Sequence, residues 1–346
     1  MEKTNFDSSF DPSFDPSFDP SGLDFTPLTQ EERVSIQQKQ RPSTRYWPEV
    51  WLRLKRNPMA IFCMALMAVI ILLAIFVPIF SPYEYDATSL LEKKQGPSLK
   101  HLFGTDNLGR DIFTRVWMGT RTSLIIGLLG ALLPYIIGMT IGAISGWVGG
   151  RVDMAIMRIV DVMLCIPSMI YMILVLIVLG GNAVSLIIAL AISGWMGSAR
   201  AFRGRILQFK NREFVLAART LGASPARIIF HYILPNILGN MAVGLCSAIP
   251  GAIFAEAGMS YIGLGISPPA TSLGQLATDG MKYFMTQFHV FIFPSLIIFL
   301  IIFALYMFGN ALRDALDPRL RDEDFIIRRF RVSRRAQRKA ERRARG

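Results

Sequence analysis

The chain has 346 residues, 52% of them hydrophobic and 18% charged, with a formal net charge of +12. A composition this apolar excludes an ordinary soluble protein of the same size and places the chain in a membrane. The charge is uneven: Asp324–Gly346 holds ten Lys or Arg against two acids, which reads as a cytoplasmic tail in reach of anionic lipid rather than a nucleic-acid arm.

Residues 1–44 open on a Ser-Phe-Asp-Pro repeat with neither helical nor strand periodicity, expected to be a disordered cytoplasmic tail without the pattern of a signal peptide. Residues 45–120 hold a first span and an external loop. Arg53, Lys55 and Arg56 precede the uncharged run 59–80, which is long enough to cross a bilayer and puts the amino terminus inside. The loop 81–121 ends in an amphipathic stretch, with Ile112, Phe113, Val116 and Trp117 on one side, expected to lie along the outer surface. Within it Gly104, Gly109, Arg110 and Asp111 copy the glycine spacing of a phosphate-binding loop. The Lys and Ser/Thr that such a loop needs are replaced by Arg and Asp, so ATP hydrolysis is not expected of this chain.

Residues 121–310 form the core, with further spans near 123–147, 162–179, 183–199, 236–256 and 290–309. Gly127, Gly130, Gly138 and Gly142 should let the second span approach its neighbours closely. Pro134 and Pro167 are expected as kinks. Only Gly180, Gly181 and Asn182 separate the third and fourth spans. Arg200, Arg203, Arg205, Lys210 and Arg212 then mark the inner face. Asn236–Ala255 makes the fifth span, residues 257–288 a Gly- and Pro-rich external loop, and residues 311–346 the basic cytoplasmic tail. The first external loop carries six Lys or Arg beside five acids, which the charge rule tolerates in a long loop.

Between the fourth and fifth spans lies Glu213–Asn236, read as two short helices and a turn. Phe214, Ala217, Ala218 and Leu221 recur at helical spacing as one small apolar face. Gly222 ends the first helix, Ser224 and Pro225 fit the cap and first turn of the second, and Pro235 ends or kinks it near Leu234. Two acids stand apart from the basic clusters. Asp161 at the inner end of the third span and Glu256 at the outer end of the fifth either line a translocation path, or sit at a water interface or pair with an arginine. Cys63, Cys165 and Cys246 lie in apolar runs and are expected to pack. His101, His231 and His289 are scattered without metal-ligand spacing, so neither metal nor other cofactor is expected.

The pattern Ala217-Ala218, Gly222, Leu234-Pro235 resembles the cytoplasmic loop signature of the membrane subunits of binding-protein-dependent ABC importers. Leu216 stands where a glutamate is common in that signature, and Tyr232 where isoleucine is common. The stretch Phe103–Asp111 with Gly119-Thr120-Arg121 and Ser123, then Glu256 with Gly263-Leu264-Gly265, and finally Leu312–Arg319 are similar to the second permease of dipeptide and oligopeptide transporters. The resemblance covers roughly Trp47 to Arg321. It implies an all-α polytopic permease of six spans that forms half of a pore for short peptides. Ala217, Ala218, Gly222, Ala223, Ser224, Pro225, Arg227, Leu234 and Pro235 would be its ATPase-coupling loop. The partners it implies are a companion permease of the same fold, two ATPase subunits and an extracytoplasmic solute-binding protein.

That group of permeases also carries nickel, glutathione and oligosaccharides, so the motifs identify the machine better than its load. A secondary transporter or channel acting alone is the reading from another class. The 213–234 helical pair and the scarcity of charge deep in the spans count against it. An intramembrane enzyme is a third, for which no nucleophile and base pair stands out.

Overall fold

The computed structural model describes residues 46–316. The Ser-Phe-Asp-Pro repeat, Asp317–Arg319 of the last motif and the basic tail lie outside the described residues. By its internal contacts the chain divides into residues 1–49 and 50–346, and the helices that follow α1 all belong to the second unit. In order they are α1 (Tyr46–Leu54), α2 (Pro58–Phe80), α3 (Ile112–Val148), α4 (Gly150–Leu164), α5 (Ser168–Leu179), α6 (Ala183–Lys210), α7 (Glu213–Thr220), α8 (Pro225–Tyr261), α9 (Leu273–Met281) and α10 (Phe288–Leu316). No strand occurs among the described residues; a single isolated bridge joins Thr105 to Asp111.

Five helices, α2, α3, α6, α8 and α10, are long and apolar enough to cross a membrane. The sixth expected span, 162–179, is not one straight helix. It breaks at Cys165–Pro167, where α4 and α5 meet at 81°. Cys165 and Ile166 donate to Val162 and Met163, tightening the end of α4, and Pro167 has no N–H with which to continue the ladder. What remains apolar and helical is the 12 residues of α5, about 18 Å of rise and short of a roughly 30 Å hydrocarbon core. Six crossings therefore require α4 and α5 to act together as one bent span.

The tightest pairing is α3 against α6. A Cβ on Gly138 would lie 2.7 Å from the Ala199 nitrogen and 2.8 Å from the Trp195 oxygen, and one on Gly142 would lie 2.8 Å from the Arg203 nitrogen. At Gly130 the neighbour is the side chain of Leu190, while Gly127 faces the Ile253 side chain of α8. Backbone thus packs on backbone along the seam, which dispersion rewards where lipid offers no hydrophobic drive between helices. At one end of the seam Asp153 of α4 receives Arg203 of α6 at 2.5 and 2.6 Å and the Ser145 hydroxyl at 2.5 Å.

Residues 112–117 do not form a separate surface helix. They are the first turns of the 37-residue α3, and Ile112, Val116 and Trp117 are buried against Leu273, Leu276 and Val290. The preceding Phe103–Asp111 stretch folds them in. Asp106 accepts from the Leu108 and Arg110 amides at 2.8 and 3.0 Å and from Arg110 Nε at 2.7 Å; Phe103 stacks on Phe293 with centroids 3.9 Å apart; Asp111 caps α3 through the Thr114 amide at 2.8 Å. The expected loop 257–288 is also partly helical. α8 runs on to Tyr261, and α9 follows, capped by Ser272.

Candidate functional site

The turn between α7 and α8 is built by local rules. The Gly222 amide donates to Arg219 and the Ala223 amide to Ala218, both at 3.0 Å, the paired bonds of a Schellman ending. This geometry needs a left-handed residue just past the helix, and Gly222 supplies it with φ +81°. Ser224 is extended and its hydroxyl accepts from the Arg227 amide at 3.3 Å, while Pro225 occupies the first helical position.

The second helix does not end at Pro235. Ile228–Ile233 widens into a π-helical segment in which the Leu234 amide reaches back to Ile229, and the chain continues into the long span. The wider turn accommodates a proline that has no amide to donate, and Asn236 Nδ2 donates to the Tyr232 carbonyl at 2.6 Å. The bulge joins the turn directly to the span, so Leu234 and Pro235 lie in one helix with Pro225 and Arg227.

Which face is buried also differs from expectation. Of Phe214, Ala217, Ala218 and Leu221, only Ala218 is buried. With Val215 it packs on Phe202 and Ile206 of α6 and on Ile228, Ile233 and Ile237 of α8. Phe214 and Ala217 are exposed, Leu221 is 87% exposed, and Phe230 on the next helix is 61% exposed. An eight-residue helix offers two apolar stripes, and the narrower one faces the chain's own core. Among the described residues the wider one is open at Ala217 and Leu221, with the Phe209 ring, 6.3 Å from that of Phe214, beside it.

Sequence reasoning missed the clamp that seats the turn. Lys210 Nζ donates to the Gly146 carbonyl at 3.3 Å and to the Trp147 carbonyl, and lies 5.8 Å from the centre of the Trp147 ring; the Arg219 guanidinium lies 5.1 Å from it. Two cations thus meet the carboxyl end of α3, where unpaired carbonyls carry partial negative charge. The signal was a tryptophan closing an apolar run just before Gly149-Gly150, the place of an interfacial aromatic.

Asp161 and Glu256 are not brought together. Asp161 of α4 is half exposed and ion-paired with Arg200 of α6. Glu256 has no exposed surface, and three serine hydroxyls from α3, α8 and the start of α9 donate to it: Ser123 at 3.0 Å, Ser260 at 3.2 Å and Ser272 at 2.5 Å. Gly263, with φ +85°, closes α8 as Gly222 closes α7, its amide donating to Ser260 and that of Leu264 to Met259. A cavity of about 250 Å³ opens between α3, α6 and α8, lined in part by Tyr135, Ser198, Arg205 and Asn240. Among the described residues no group of three or more His, Cys, Asp or Glu is arranged to hold a metal ion.

Residues 138–322, which include the turn, match the family described as binding-protein-dependent transport system inner membrane component, and residues 45–97 match the N-terminal TM domain of oligopeptide transport permease C. The chain is 43% identical to the oligopeptide transport system permease protein OppC of Bacillus subtilis, over 81% of this chain and 92% of that one. It is 40% identical to the dipeptide transport system permease protein DppC of the same organism, over 85% and 92%. Against the glutathione transport system permease protein GsiD of Pectobacterium atrosepticum the identity is 35%, over 80% and 92%. With its helical, membrane-crossing architecture and a family match across more than half its length, the chain belongs to the inner membrane components of binding-protein-dependent transport systems.

Proposed function

We propose that the chain is one of two pore-forming subunits of an ATP-driven importer of short peptides. It crosses the cytoplasmic membrane several times with both termini inside. It works with a companion permease of the same fold, an extracytoplasmic solute-binding protein and two ATPase subunits that carry out the hydrolysis. The observation that carries this reading is the open apolar stripe on the 213–235 turn, held rigid by a Schellman ending, a serine cap and the Trp147 clamp. Exposed Ala217 and Leu221 beside the half-open Phe214, with Phe230 exposed on the next helix, on so well fixed a support suit a groove on another protein. Gly222, Ala223, Ser224, Pro225 and Arg227 form the tip that enters it, and Leu234 and Pro235 carry its displacement on along α8.

Neither Asp161, tied to Arg200, nor Glu256, enclosed by serines, stands free for a passing solute. We place the path instead along the cavity between α3, α6 and α8. It holds one arginine and a few neutral polar groups, and such a wall passes many side chains by gripping none, which leaves selection to the binding protein.

Two measurements test the proposal. Leu221→Asp should abolish co-purification of the ATPase in mild detergent while the permease still inserts; retention at the wild-type level sinks the docking assignment. Cells lacking the gene should lose uptake of labelled di-, tri- and pentapeptides. If peptide uptake persists while glutathione, nickel or oligosaccharide uptake is lost, the cargo is wrong and the importer reading stands.

A further inference from the structure

α9 is nine residues long, too short to hold together by itself, yet it packs across the end of the bundle opposite the 213–235 turn, against the first turns of α3 and the amino end of α10. Leu273 and Leu276 supply the apolar contact with Ile112, Val116, Trp117 and Val290. What fixes the start of α9 is polar. A helix amino terminus leaves its first amides without partners. Here the Leu273 amide donates to the Ser123 hydroxyl at 3.0 Å and the Gln275 amide to the Ser272 hydroxyl at 3.2 Å.

A hydroxyl has one proton and two lone pairs. Ser123 and Ser272 can each accept from α9 only with the proton turned elsewhere, and both protons go to Glu256, to Oε2 at 3.0 Å and Oε1 at 2.5 Å. Ser260, one turn along α8, donates a third hydrogen bond at 3.2 Å. The carboxylate therefore sets the direction of the hydroxyls that hold the amino end of α9. The contact leaves no slack. A Cβ on Gly274 would lie 2.8 Å from Glu256 Oε1 and 2.6 Å from the Ala257 Cα, and one on Gly119 would lie 3.0 Å from the Ser272 carbonyl carbon.

We propose that Glu256 is the positioning residue for α9: through Ser123 and Ser272 it fixes the helix that closes the end of the bundle remote from the turn, where solute enters on the importer reading. The inference rests on that reading for its consequence, though not for its geometry. Glu256→Gln keeps the shape but turns one of the two accepting oxygens into a donating NH2, so a serine hydroxyl loses the acceptor for its proton and must reorient at the expense of the α9 amide it holds. A buried polar network is costly when half satisfied, so the helix start should come loose.

The test is hydrogen exchange of the purified full-length permease. Segment 272–281 should exchange at least 10-fold faster in Glu256→Gln, and by a smaller factor in Ser272→Ala, with 213–223 unchanged. The double variant Glu256→Ser with Ser272→Glu exchanges donor and acceptor with the same total side-chain reach; it should restore protection in part. Wild-type exchange of 272–281 in both single variants overturns the proposal, as does equal loosening at 213–223, which would mark general unfolding. Uptake of labelled peptide should fall at least 10-fold in Glu256→Gln and recover in part in the double variant. Loosening of 272–281 with undiminished uptake would overturn the claim that the placement of α9 governs passage. Loss of peptide uptake from the wild type itself would instead reject the cargo reading and leave the exchange result standing.

Discussion

The turn at Gly222 allows a perturbation whose cost comes from the backbone alone. A Cβ built there meets nothing within 4 Å, so substitutions add no collision; what they meet is φ +81°. For most L-residues a left-handed conformation costs about 1–2 kcal/mol, a roughly 5- to 30-fold drop in the population that holds the Schellman bonds. Asparagine tolerates this region far better, and a β-branched side chain tolerates it worst. The ranking of coupled transport in proteoliposomes should therefore be Gly222→Asn near wild type, Gly222→Ala reduced several-fold, and Gly222→Val lowest, with all three inserted normally. Where transport falls, ATPase co-purification should fall with it. An Asn variant as defective as Val would show that the position is limited by space or contact rather than by φ. A Val variant that transports normally would refute the role of the turn altogether.

Along the α3–α6 seam, Gly138→Ala should lower the unfolding temperature in detergent far more than Gly130→Ala, because at Gly138 the obstruction is the Ser198 Cβ with the Ala199 and Trp195 backbone while at Gly130 it is the movable Leu190 side chain. Comparable losses at both sites would sink that distinction. For the topology, a cysteine replacing Lys93 should react with a membrane-impermeant maleimide in intact cells and one replacing Leu221 only after permeabilisation. Reaction of both in intact cells, or of neither, would mean that α4 and α5 do not form a crossing; the reverse pattern would mean that the orientation is inverted.

The apolar runs made most of the fold legible, because a span must bury about 20 apolar residues whatever surrounds it. Gly222, Ser224 and Pro225 were legible too, since a left-handed ending and a capped start depend on residue type rather than on distant contacts. Two things were not. Pro235 read as a stop because a proline breaks an α-helical ladder, but the π segment 228–233 absorbs it, and that choice is made by the burial of Ile228 and Ile233 against α6 and α7. Run 162–179 read as one span with a kink at Pro167; the kink is there, but its size, 81°, was not legible, because a proline marks where a helix breaks and not the direction the next one takes. Glu256 stood out as an acid at a span end, but its enclosure did not: its partners come from positions 123, 260 and 272, and only the 256–260 pair has a spacing that sequence can reveal.

α3, like α8, touches both ends of this arrangement. Its 37 residues rise about 55 Å, with Gly119 and Ser123 against α9 at one end and Trp147 under Lys210 and Arg219 at the other. If it serves as a rigid link, loosening one end should leave the other in place while breaking the communication between them. Trp147→Ala removes the ring that both cations cover. At about 0.5–1 kcal/mol for each such contact at an exposed site, the loss is about 1–2 kcal/mol, enough to raise hydrogen exchange in 213–223 by roughly 5- to 30-fold. Trp147→Phe keeps an aromatic face and should lose less. Segment 272–281 should exchange as in the wild type in both variants, because its anchor at Glu256 and Ser123 is not touched, while stimulation of the ATPase by the loaded binding protein should fall in step with the loosening of the turn. Exchange that rises at both ends together would show that α3 is melting rather than linking. Unchanged exchange at 213–223 would show that the cations seat the turn without needing the ring.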